Sequence, residues 1–140
     1  MNVRIDKEIH VETPDDVGVQ NTVLSAVSSA GSSLQAMVAY GQDMRGHFIM
    51  LVSDATKAAK AAQKLGYNVI ENDVVVAEFD DKKGIGAAIA EKLAKAGINV
   101  SYTYAGGKGK KVVCVLSTGD NAAAVQVLSG KAAGKKGKKK

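Results

Sequence analysis

The chain has no tryptophan, and aromatic residues make up only 4% of its 140 positions, although 46% are hydrophobic. Any core must therefore be aliphatic, built from Val, Ile, Leu and Ala. The single cysteine, Cys114, excludes an internal disulfide framework and fits a reducing compartment. Long apolar runs are absent. The longest uncharged stretch, Val17 to Gln42, holds five serines with Gln20, Asn21 and Gln35, too polar to cross a bilayer. Met1 to His10 carries charges where a secretory signal would be apolar. These absences lead to the expectation of a soluble cytoplasmic protein.

A basic folded body is also missing. The formal charge is +5, from 19 Lys and Arg against 14 Asp and Glu, yet the last twelve residues, SGKAAGKKGKKK, hold six lysines and no acid. Without them, 13 basic residues face 14 acidic ones, a net charge of −1. Nucleic-acid binding through a basic folded face is unsupported. The tail, residues 129–140, is expected to be disordered, because it cannot bury apolar area and its charges repel. Two readings of it stand: a solubilising terminus, or an arm whose Lys135, Lys136, Lys138, Lys139 and Lys140 contact a polyanion weakly.

Catalytic and cofactor patterns are scarce. His10 and His47 share no metal-ligand spacing with each other or with Cys114, so no metal site is expected. Cys114 reads as a small core residue in an apolar run. No Ser/His/Asp or Cys/His constellation can be argued from spacing. Asp80 and Asp81 are adjacent, and neighbouring strand residues point to opposite faces, so solvated turn carboxylates are the expectation. Gly84-Ile85-Gly86 begins like a dinucleotide loop. The fingerprint needs a third small residue where Ile89 stands, and an acidic residue about 20 positions on, where Ser101 to Ala105 offers none. No Gly-Lys-Ser/Thr completes a phosphate loop. No enzyme and no cofactor are expected.

What is present is a repeat. ETPDDVGVQNTVLSAVSSAGSSL (Glu12 to Leu34) lies over EFDDKKGIGAAIAEKLAKAGINV (Glu78 to Val100) without a gap, 66 residues apart. Gly18 falls on Gly84, and Ala30-Gly31 on Ala96-Gly97. Val19, Val23, Val27 and Ala30 fall on Ile85, Ile89, Leu93 and Ala96, one face of a helix. Gly31 and Gly97 suit left-handed helix ends. Asp54 falls on Asp120, each opening an Ala-rich run as a helix cap. Strands are predicted at Ile9 to Val11, Leu34 to Tyr40, Phe48 to Val52, Tyr67 to Glu71, Val74 to Phe79, Ile98 to Tyr104 and Val112 to Leu116. Ile98, Val100, Tyr102 and Tyr104 are expected on one face. Packing in the sheet or an interface suits the tyrosines better than base stacking, because RNA-binding modules of this topology stack bases on the first and third strands.

The order is β-α-β-β-α-β in residues 1–72 and again in 73–128, the second lacking a clear last strand. The predicted class is α+β: two ferredoxin-like units in tandem, with antiparallel sheets and helices on one face.

AEKLAKAGINVSYTYA, preceded by a strand ending in acidic residues and a helix-opening glycine, resembles an ACT domain. The family often has proline before that glycine, where Lys83 and Val17 stand, and Ser33 replaces Asn99 in the first unit. The resemblance implies a non-catalytic regulatory module that binds a small amino acid where such domains pair, against the loop before the first helix, and a homodimer. It implies a ligand site at Asp80, Gly84, Ile85 and Asn99, with Gly18 and Val19 in the first unit. A helix start offers free N–H groups and a positive dipole end to a carboxylate. Gly84 and Gly86 also read as a tight turn and nothing more. The alternative function is a ligand-free interaction module whose basic tail contacts nucleic acid or an acidic partner.

Overall fold

A computed structural model describes residues 1–130, as β1 (Asn2–Pro14), α1 (Val19–Ser29), β2 (Leu34–Gln42), β3 (Arg45–Val52), α2 (Ala55–Lys64), β4 (Asn68–Asp80), α3 (Ile85–Lys95), β5 (Val100–Lys108), β6 (Lys111–Thr118) and α4 (Asn121–Leu128). No helix among the described residues is long and apolar enough to cross a membrane. The chain forms two compact units, one of Lys7–Asn72 and the other of Met1–Asp6 with Asp73 onward.

In the first unit β3 lies between β2 and β1, antiparallel to both. The apolar stripe of α1 buries Val23 and Val27, and α2 buries Ala58, Ala59 and Ala62. These meet Ile9, Val11, Phe48, Met50 and Val52, alternate residues that a strand presents to one face. Asp54 caps α2 by accepting a hydrogen bond from the Lys57 N–H at 3.1 Å. Asn68–Asn72 of β4 belongs to this unit and completes βαββαβ, with Val69 against the core.

The second unit repeats the plan. β6 lies between β4 and β5, antiparallel to both. Ile89 and Leu93 of α3, with Ala124 and Leu128 of α4, pack on Val75, Ala77, Phe79 and Leu116. Asp120 caps α4 through the Ala123 N–H at 3.0 Å.

Three features depart from the sequence expectation. The last strand that the second unit lacked comes from the N-terminus: residues 1–6, assigned above to the first unit, cluster with the second. Val3 packs on its core, and the Arg4 guanidinium donates to Glu78 at 2.5 Å. Alternation in that segment specifies a strand but not its neighbour.

Ile98, Val100, Tyr102 and Tyr104 do not share a face. Ile98 precedes β5, and a register shift between Val100 and Tyr102 inserts an extra residue and reverses the side chains that follow. Val100 packs on the helix-side core, while Tyr104 is buried outside it. The shift recurs 66 residues earlier, between Leu34 and Ala36.

At the C-terminus, Ser129 still belongs to the helix end: its hydroxyl donates to the Val125 carbonyl at 2.6 Å. Residues 131–140, where the tail lysines stand, lie outside the described residues.

If Asn2–Asp6 is structurally part of the second unit, Val3→Ser removes apolar burial there, at a cost of about 1 kcal/mol. Hydrogen exchange should quicken at the Val75 and Val115 amides and stay unchanged at Met50. Equal acceleration in both units would contradict the assignment.

Candidate functional site

The helix-opening loops differ from the other two helix starts. Gly84 has φ 84° and Gly18 φ 85°, both left-handed and both without a side-chain cap. That conformation is open to glycine at little steric cost. It closes the four-residue loop, Asp15 to Gly18 or Asp81 to Gly84, that leads from the strand's end into the helix. The Ile85 N–H reaches the Lys82 carbonyl at 3.1 Å, and the Ala88 N–H reaches the Gly84 carbonyl at 3.0 Å. No side chain closes the first turn, unlike at Asp54 and Asp120. A polar ligand can use what a capping side chain otherwise occupies.

In the second unit a cleft of about 450 Å³ runs from this turn between α3 and the sheet. Its helix wall is Ile85, Gly86, Ile89, Ala90 and Leu93. Its sheet wall is Phe79 on β4, Val100, Thr103 and Ala105 on β5, and Val112, Cys114 and Leu116 on β6. Asp81 is the one charged residue on the lining, and its N–H holds the loop to the β5–β6 turn through the Lys110 carbonyl at 2.7 Å. The Thr103 hydroxyl lies 3.4 Å from the Cys114 sulfur and 2.9 Å from the Val115 carbonyl. An apolar cleft of this size with a few polar groups at one end has the form of a small-molecule site.

The first unit holds a counterpart of about 300 Å³, lined by Asp15, Asp16, Gly18, Val19 and Gln20 with Ala39, Tyr40, Gly41 and Phe48. Its loop is tied the same way, the Asp15 N–H donating to the Met44 carbonyl at 3.3 Å.

Of the expected site residues, Ile85 lines the larger cleft, and Gly18 and Val19 line the smaller. Gly84 opens the helix beside the cleft without forming its wall. Asp80 is engaged elsewhere: its carboxylate accepts from the Lys111 ammonium at 2.6 Å. That hydrogen bond, with the lysine's charge, holds Asp80 below its ordinary pKa and raises Lys111. Asn99 is exposed, and its carbonyl accepts from the Gly119 N–H at 3.0 Å. It follows the C-terminus of α3, so the helix separates it from Gly84 in its own unit by roughly 16 Å at the usual rise.

Among the cleft residues outside the expected site, Asp81, Gly86, Thr103 and Cys114 bear most on its chemistry and shape. Strand parity favoured neither aspartate, and Cys114 does pack against the core while also facing the cleft. The His10 and His47 rings lie 5.8 Å apart, with Tyr40 stacked on His47 at 5.0 Å. Among the described residues no group of three or more His, Cys, Asp or Glu could hold a metal ion.

Two ferredoxin-like units with glycine-opened first helices define an ACT-type tandem. The chain belongs to the ACT domain pair family, whose sequence profile matches residues 6–132. No curated protein sequence matches it. Solved structures share the fold. A protein from Bacteroides thetaiotaomicron aligns with TM-score 0.84 and 21% identity, over 93% of this chain and 90% of that one. The ligand-free regulatory subunit of aspartate kinase from Thermus thermophilus aligns with TM-score 0.70 and 16% identity, over 93% and 96%. The Thermus flavus regulatory subunit gives 0.63 and 16% over the same shares. At these identities the likeness establishes the fold.

The two glycines of the turn should respond oppositely to alanine. Gly84→Ala forces a Cβ into a left-handed backbone and should cost roughly 1 kcal/mol. Gly86 lies inside α3 with open space at its Cβ position, so Gly86→Ala should stabilise by up to about 1 kcal/mol. Urea denaturation of both variants checks the signs.

Proposed function

We propose that the chain is a non-catalytic regulatory module that binds a small amino acid at the helix-opening loop. The observation that carries this reading is the cleft beginning at the uncapped, glycine-opened start of α3 with Asp81 on its lining. It offers opposite partners to the two charges of an amino acid: helix N–H groups to the carboxylate and an aspartate to the ammonium. Membership of the ACT domain pair family supports it, as does the fold shared with regulatory subunits of aspartate kinase. Binding would regulate by favouring one arrangement of the chain or its partner over another, through different affinity for the two.

A ligand that binds only the folded state raises the thermal midpoint. Screening the twenty amino acids at millimolar concentration should reveal one or more that do so by at least about 2 °C. Gly84→Val should lower the unliganded midpoint and abolish the ligand-dependent rise. No rise with any amino acid would contradict the reading.

We also infer a homodimer. β2 and β5 each have a single strand neighbour, and open sheet edges favour pairing. Light scattering at micromolar concentration should give twice the 14.5 kDa chain mass; a monomer mass would contradict it.

A further inference from the structure

The two repeats are not equally filled. With the 66-residue correspondence and its identical strand register, Met37 opposes Met50 as Thr103 opposes Leu116, and Ala39 opposes Phe48 as Ala105 opposes Cys114. In the first unit Leu24, Met37 and Phe48 pack on the core. Their counterparts Ala90, Thr103 and Cys114 are smaller, and all three line the larger cleft. Larger residues at other positions do not close the gap. Phe79 stands where the first unit has Thr13, and Val112 where it has Gly46, yet the cleft still measures about 450 Å³ against 300 Å³. Thr103 and Ala105 remain exposed although they face α3 across the cleft.

The mouths differ too. In the first unit the Asp15 side chain lies over Gly41, where an added Cβ would meet it. Gly107, the counterpart of Gly41, has only the Lys111 backbone nearby. Asp81 is thus not folded back over its glycine and is left on the cleft lining.

We propose that the second unit's cleft is the specificity pocket of the module and takes an amino acid with a bulky aliphatic side chain, of the leucine type. The hydrocarbon lies among Ile89, Ala90, Thr103 and Cys114, and the ammonium faces Asp81. An apolar space made by side-chain truncation takes up apolar guests of matching size, and a hydrocarbon wall cannot satisfy the polar end of an aspartate or lysine side chain. The first unit, filled by Phe48 and Met37, does not take this ligand. This inference rests on the amino-acid reading above and specifies its ligand.

The test compares leucine, valine and norleucine with glycine, serine, aspartate and lysine at equal millimolar concentration. The aliphatic acids should raise the thermal midpoint and the polar ones should not. Cys114→Phe, which restores the first unit's residue, should abolish the rise without lowering the unliganded midpoint. Asp81→Asn should weaken leucine at least tenfold and leave 4-methylpentanoate, which lacks the amine, unaffected. Should Cys114→Phe misfold, the native thiol serves instead. It is the chain's only cysteine, and saturating leucine should slow its alkylation by iodoacetamide at least tenfold. If no amino acid shifts the midpoint, the amino-acid reading and this inference both fall. If polar acids shift it and leucine does not, the function stands and the aliphatic pocket is overturned. A leucine shift with unchanged Cys114 alkylation places the ligand elsewhere and also overturns it.

Discussion

A backbone reversal at one glycine sets up each unit. At φ 84–85° Gly18 and Gly84 end the four-residue loop between a strand and the helix that packs back over the sheet, at a conformation costly to any residue with a Cβ. Three consequences follow in the second unit. Ile89 and Leu93 are aimed at the core, the first turn of α3 is left without a side-chain cap, and Asp81 is held beside the cleft by the Lys110 carbonyl. Packing and site therefore share one cause. The helices α2 and α4 have aspartates where α1 and α3 have glycine, and those side chains close the first turn that the glycines leave without a side-chain cap.

Duplication supplies an internal control. The two units share hydrogen-bond pattern, helix caps and even the β-bulge that turns Tyr102 and its counterpart Ala36, so differences between them are differences of side-chain volume on a common backbone. Core substitution of large by small residues ordinarily leaves a destabilising void. Here Ala90, Thr103 and Cys114 leave one that opens to solvent, where a guest can offset the lost contacts. On the proposed reading, ligand selectivity falls to the walls of the second unit, while the first keeps Leu24, Met37 and Phe48 packed on its core.

Much of this was legible in the sequence, for definite reasons. Val23 with Val27, and Ile89 with Leu93, stand four apart and announce the buried helix faces. Asp54 and Asp120 announce caps, and the gapless repeat announces the tandem. The N-terminal strand was not read in the sequence, which placed the first strand at Ile9 to Val11, and alternation in VRIDKE leaves a strand's neighbour to tertiary packing. The bulges carry no residue signature, yet each reverses the faces of the residues after it, so the side chains of β5 were assigned to a common face they do not share. The resemblance named Asp80 for the site, whereas the structure pairs Asp80 with Lys111 and puts Asp81 on the cleft lining, a distinction that adjacent carboxylates do not carry in the sequence. The cleft itself is a comparison of volumes across a register and has no motif to find.

Backbone amide NMR during a leucine titration tests the central claim most directly, because it reports where the ligand sits as well as whether it binds. Saturable shifts concentrated at Asp81, Gly84 to Gly86, Ala90, Thr103 and Cys114, with the Gly18 to Gln20 amides unmoved, are the expected result. Shifts centred on the first unit's loop, or none at any of these amides, would contradict it.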